Sequence, residues 1–305
     1  MILGSHKGVP LPIPMIKYLL GYILKKLLFI LLFSTLSFAS TNVVVSISPL
    51  KTFVEKIGGD KINTSVMVPQ GSSPHNYEPK PSQMKEITQA KVYFSIEVEF
   101  EKVWLEKFKN QNKNLIISDV VYDMNKTTLS DHHDEGEKCL HIHGELDPHI
   151  WVDPVNVKHI AQNIYATLSK VDSNNTDYYK KNLESYLKEL DELNSNIKTI
   201  LKDVPENATF MVFHPAWGYF AKRYNLNQIA VEVEGKEPKM KALIGLMKKA
   251  KSEKVQAIFT QPEFSDKSAK LIANNLGIKV IKASPLAKNW SENLLNLAKA
   301  IAHKE

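Results

Sequence analysis

The chain has 305 residues, enough for two globular units of ordinary size. Its 43% hydrophobic and 24% charged residues exclude both a disordered polymer and a polytopic membrane protein. The net charge of +6 comes from 39 basic and 33 acidic residues, yet 38 of the 39 are Lys and only Arg223 is Arg, which argues against a specific nucleic-acid reader because such sites favour the bidentate guanidinium fork. With Cys139 alone there can be no intrachain disulfide framework.

In chain order, Lys17, Lys25 and Lys26 precede an apolar run from Leu27 to Phe33 and the small-residue ending Ser37-Phe38-Ala39. This pattern predicts a signal peptide over residues 1–39, cleaved after Ala39, with translation starting at Met1 or Met15. An uncleaved membrane anchor is the alternative, since apolar character begins at Ile16. Cleavage removes Lys7, Lys17, Lys25 and Lys26 and no acid, leaving 35 basic against 33 acidic residues and a net charge of +2.

After the leader, β-branched runs alternate with helical patterns. Val43 to Ile47, Val66 to Val68, Val92 to Ile96 and Leu115 to Ile117 read as strands, with helices over Phe53 to Ile57, Pro81 to Ala90 and Phe100 to Phe108. The second half repeats the rhythm, with strands at Phe210 to Phe213, Gln228 to Val233, Val255 to Thr260 and Ile278 to Ile281. Its helices cover Trp217 to Tyr224, Met240 to Ala250, Ala269 to Leu276 and a last one from Ser291. Strands separated by helices favour parallel pairing through right-handed crossovers.

Between the halves, Leu183, Leu187, Leu190, Leu193, Ile197 and Ile200 recur at spacings of three and four, which predicts one helix from Asp177 to Lys202 with Thr176 as N-cap. A coiled-coil dimer is the alternative, but the pattern is short for one. The expected fold class is α/β: two small (βα)-type lobes with parallel sheets joined by a long rigid helix. The corresponding boundaries are 1–39 for the signal peptide, 40–171 for the first lobe, 172–203 for the linker helix and 204–305 for the second lobe.

The histidines carry the chemistry. His75 lies in Gly71-Ser72-Ser73-Pro74-His75-Asn76-Tyr77-Glu78-Pro79, His149 in Asp147-Pro148-His149-Ile150-Trp151-Val152-Asp153-Pro154, and His214 in Val212-Phe213-His214-Pro215-Ala216-Trp217. His75 and His214 directly follow predicted strands, where open parallel sheets bind ligands. Three imidazoles from two lobes suit zinc, which takes three protein ligands and a fourth from water or a carboxylate. His159 and His303 read as ordinary surface residues. A separate segment, 131–143, holds His132, His133, His141 and His143 with four acids and Cys139; it reads as a loop that gathers metal weakly, because ordering it costs conformational entropy.

Those three motifs resemble the metal-binding solute-binding proteins of ABC importers, most closely the zinc-uptake (ZnuA-like) type, over essentially the whole chain after the leader. The resemblance implies a periplasmic protein that binds Zn²⁺ at His75, His149 and His214 and delivers it to an ABC permease in the cytoplasmic membrane. It also implies a monomer with no enzymatic activity and no nucleic-acid partner. Manganese-type members tend to carry Glu where this chain has His214. Many members offer an Asp near the end of the last strand; Lys282-Ala283-Ser284-Pro285 presents Ser284 instead, leaving water or Glu263 as the fourth ligand. The stiff helix predicts small lobe movements, with release by local rearrangement such as that of the loop holding His214. Two rivals remain at this level: a zinc hydrolase, with Glu78 or Glu263 as base, and a surface adhesin on the same scaffold.

Overall fold

The computed structural model describes residues 18, 40–128, 146–232 and 236–303. The expected leader, apart from Tyr18, and the histidine-rich segment with His132, His133, His141, His143 and Cys139 lie outside the described residues. Ser40–Glu305 is one compact unit.

Its first sheet contains β1 (Thr41–Ile47), β2 (Ile62–Val68), β3 (Val92–Ser95) and β4 (Ile116–Asp119), all parallel, in the order β2-β1-β3-β4. Val43, Val44, Val45 and Ile47 of β1 are all buried, as a central strand covered on both faces requires. Helices α1 (Ser48–Gly58), α2 (Pro81–Gln89) and α3 (Glu99–Gln111) supply the crossovers. Strand β2 begins four residues before the expected start. Its polar residues Asn63 to Ser65 hide it from a hydrophobicity reading, yet they pair in register with Asn42 to Val44.

After α4 (Pro154–Val171) and α5 (Thr176–Leu201), the second sheet repeats the first with β5 (Ala208–Val212), β6 (Leu226–Ala230), β7 (Ala257–Thr260) and β8 (Lys279–Lys282) in the order β6-β5-β7-β8, again all parallel. Helices α6 (Gly218–Arg223), α7 (Met240–Ser252), α8 (Lys267–Leu276) and α9 (Trp290–Ile301) accompany it. Strand β6 runs earlier than the expected Gln228 to Val233, because its ladder with β5 starts at Leu226 opposite Ala208. In each sheet the strand order reverses beside the first strand, which opens a crevice at the carboxyl ends of the strands.

The 26 residues of α5 extend about 39 Å at 1.5 Å per residue. Its buried stripe, Tyr179, Leu183, Tyr186, Leu190, Leu193, Ile197 and Leu201, packs on α4 and α1 from the first half and on α9 from the second. The stripe is consumed within its own chain, which removes the apolar seam a coiled-coil dimer would need. Thr176 is not the N-cap. A 3₁₀ turn, Ser173–Asn175, precedes it, and Thr176 is already helical with its hydroxyl donating to the Ser173 carbonyl at 2.9 Å. No helix among the described residues is long and apolar enough to cross a membrane.

One buried carboxylate shapes the turn that leads to the site. Glu101, 4% exposed, accepts the backbone N–H groups of Ile96 at 2.8 Å and Glu97 at 2.7 Å and a hydrogen bond from the Ser46 hydroxyl. This cradle holds Glu97 at φ 59°, a conformation that L-residues adopt rarely. Burial, partly offset by these hydrogen bonds, pushes the Glu101 carboxyl from the ordinary 4.5 up to about 7. A carboxyl raised on folding contributes its stability fully below about pH 4.5 and loses it as pH rises through about 7, a swing of up to about 3 kcal/mol at 1.36 kcal/mol per pH unit. Urea denaturation at pH 5 and pH 8 should therefore show wild-type stability falling with pH. In Glu101→Gln that component of the fall should vanish.

Candidate metal centre

The site is assembled at the carboxyl edges of both sheets. His75 sits in the β2–α2 loop, whose shape is fixed by Ser72 N–H donating to the Pro69 carbonyl at 3.1 Å and by Gln83. The Gln83 amide donates to the Val66 carbonyl at 2.9 Å, while its oxygen accepts from Lys80 N–H at 3.0 Å and the Tyr77 hydroxyl at 2.8 Å. The His75 side chain stays 39% exposed. Its Nδ1 lies 3.4 Å from Oε2 of Glu99, the first residue of α3.

His149 precedes a 3₁₀ turn, Ile150–Val152, and is 7% exposed. Oδ1 of Asp147 accepts its backbone N–H at 2.9 Å and its ring Nδ1 at 2.8 Å. The carbonyl of Asp147 accepts the Tyr219 hydroxyl at 3.1 Å, and a Cβ on Gly218 would lie 2.7 Å from Asp147 Oδ2; this close approach of the two halves is why glycine opens α6. Farther along, Asp153 caps α4 through Val155 N–H at 2.9 Å and takes the Arg223 guanidinium at 2.8 and 2.7 Å.

His214 follows β5 and is 8% exposed. Its backbone is gripped from both sides by the Gln261 side chain, which accepts its N–H at 3.2 Å and donates to its carbonyl at 3.0 Å. Glu232 Oε1 lies 2.8 Å from ring Nδ1, and the Phe264 ring stacks on the imidazole at 4.9 Å between centroids.

All three imidazoles thus present Nδ1 to a carboxylate. At His149 and His214, where the contact is a hydrogen bond, the carboxylate can only accept, so the proton resides on Nδ1 and the lone pair on Nε2, the arrangement that orients metal-binding histidines. His214 Nε2 is buried and has no protein partner. The His75–His214 and His149–His214 ring centroids are both 5.2 Å apart. Two imidazoles on a tetrahedral zinc, with Zn–N near 2.0–2.1 Å, would stand about 5 Å apart by the same measure. The spacing is in place, although among the described residues no three His, Cys, Asp or Glu side chains already form a metal-holding group.

The three imidazoles line a cavity of ≈ 20 Å³ together with Glu99, Trp151, Glu263, Phe264 and Leu286. That is room for about one water-sized particle. A larger cavity of ≈ 440 Å³ lies elsewhere, between the end of α5, β5 and α9; it is lined mainly by apolar groups such as Val204, Phe210 and Ile301, with His303 at its edge. Volume does not make it the metal centre, because it gathers no comparable set of donors. His159 pairs with Asp123 at 2.8 Å on the surface, and Glu78 is exposed and does not line the histidine cavity. The sequence reading assigned no role to Glu99, Asp147 or Glu232. Asp147 had a local signal, two residues before His149; Glu99 and Glu232 reach their imidazoles only through tertiary packing.

Two parallel α/β sheets spanned by a long helix, with a histidine-lined cleft at their carboxyl edges, define a cleft-type solute-binding protein. The family described as zinc-uptake complex component A, periplasmic (ZnuA), matches residues 43–303, and the chain belongs to it. It is 30% identical over 244 residues to the high-affinity zinc uptake system protein ZnuA of Bacillus subtilis, covering 78% of this chain and 76% of the relative. It is likewise 30% identical over 249 residues to a metal ABC transporter substrate-binding lipoprotein of Lactococcus lactis, covering 78% and 77%. Among solved structures, a ZnuA deletion mutant with zinc bound superposes with a TM-score of 0.77 at 39% identity, covering 87% of this chain and 97% of that one.

Proposed function

We propose that this chain is the extracytoplasmic component of a zinc importer, which takes one Zn²⁺ into the cleft at His75, His149 and His214 and passes it to an ABC-type permease in the membrane. The carrying observation is the set of three imidazoles, each with Nδ1 facing a carboxylate, around one ion-sized cavity. Membership of the zinc-uptake family supports the cargo and the permease. In this reading residues 1–39 are a cleaved export signal, 40–171 and 204–305 are the lobes and 172–203 is the linker. The protein works as a monomer, without turnover and without nucleic acid. The segment with His132, His133, His141 and His143 gathers further zinc weakly.

Neutral imidazoles bind metal and imidazolium ions do not, so zinc affinity should fall in acid. The direct test is calorimetric titration of the purified protein with zinc. His214→Ala is expected to weaken the tight site by at least the roughly 10–100-fold that follows loss of a group which merely orients a ligand. Unchanged affinity would remove His214 from the site.

A further inference from the structure

We infer that Glu263 is the fourth ligand, closing the three-imidazole site with a carboxylate oxygen; this rests on reading the cleft as a metal site. Glu263 lies just after β7, the neighbour of β5, so it enters the same crevice as His214, which follows β5. Its two oxygens are used differently. Oε1 accepts the Gly71 N–H at 3.3 Å, from the loop that carries His75, and the Ser284 hydroxyl at 3.0 Å, from the second half. Those bonds fix the carboxylate across the cleft.

Oε2 is buried and has no protein partner, and the same holds for His214 Nε2 in the same cavity. Two lone-pair atoms that share a cavity of ≈ 20 Å³ repel each other, and a buried acceptor left unsatisfied is costly. A cation satisfies both at once. The other carboxylates at the histidines, Glu99, Asp147 and Glu232, face imidazole Nδ1 atoms. Glu263 is the carboxylate lining the cavity that is not spent in this way.

Three nitrogens and one carboxylate oxygen form a complete tetrahedral set for zinc, and the carboxylate lowers the charge of the bound centre from +2 to +1. Such a set leaves no position for an activated water, which catalytic zinc sites retain. It also disfavours octahedral, oxygen-seeking cations such as magnesium and manganese.

The test compares wild type, Glu263→Gln, Ser284→Ala and His214→Ala by zinc titration against a chromophoric chelator, and by the visible absorption of the Co²⁺-loaded proteins. In Glu263→Gln zinc affinity should fall by more than the roughly 10–100-fold typical of an orienting group, with stoichiometry retained and altered cobalt bands. Ser284→Ala removes only a donor to Oε1 and should keep the wild-type cobalt spectrum. Wild-type affinity and spectrum in Glu263→Gln overturn the proposal, and if His214→Ala is still weakened the three-histidine reading stands. Equal losses in Glu263→Gln and Ser284→Ala with unchanged spectra would reduce Glu263 to a clasp and also overturn it. Wild-type affinity in His214→Ala would instead remove the reading of the cleft. Should Glu263→Gln fail to fold, a crystal structure of zinc-loaded wild type decides, with Oε2 expected at about 2.0–2.2 Å from the metal and a water in its place overturning the assignment.

Discussion

Trp151→Ala is expected to cost about 3–5 kcal/mol of folding stability, the range for truncating a fully buried large aromatic. At about 2–4 °C per kcal/mol for a chain of this size, the thermal midpoint should drop by roughly 10 °C. Trp151 is 1% exposed and belongs to both halves of the molecule. Its indole N–H donates to the Pro285 carbonyl at 2.8 Å, and its own carbonyl accepts the Trp290 indole at 2.9 Å. Truncation therefore leaves a cavity and an unpaired carbonyl at Pro285. Its ring also lies 5.3 Å from that of His149, so the loss should carry into the site. Circular dichroism melting of wild type and variant checks the figure; a loss below about 1 kcal/mol would mean that the halves do not depend on this contact.

The second large effect concerns Arg223, the one arginine of the chain. Asp153 is 4% exposed at its side chain and receives the guanidinium at 2.7 to 3.0 Å, a contact that raises the Arg223 pKa. Arg223→Met leaves a buried carboxylate without its counter-charge, which should cost about 3 kcal/mol. The double variant Asp153→Asn/Arg223→Met should recover much of that loss. Asparagine still caps α4 through Val155 N–H, while the charge that needed a partner is gone. A double-mutant cycle by urea denaturation reads the coupling, and additive losses would show that the pair acts through packing alone.

How far the sequence foretold this molecule depended on the physical reach of each signal. The three histidines were legible because each stands in a proline-bounded loop, two of them directly after hydrophobic runs that pair as parallel strands. Long helix α5 was legible because a 26-residue amphipathic stripe declares itself by spacing. Strand β4 was displaced from its expected start at Leu115. It is an edge strand with Ile116 and Ile117 partly exposed, and its ladder ends on Ser118 and Asp119, which hydrophobicity does not mark. The carboxylates behind the imidazoles were the hardest to foresee. Glu232 meets His214 only because β5 and β6 lie side by side, a relation no local pattern encodes.

The three imidazoles are mechanically unequal. The stretch bearing His149 is fastened to the second half through Tyr219, Arg223, Pro285 and Trp290, and the His214 backbone is held by Gln261. Both rings are buried. His75 alone of the three stands at the solvent edge, on a loop tied by Gln83 and by the Gly71 N–H to Glu263. In the proposed role, an ion would reach the cleft past the loop of residues 69–80 that carries His75.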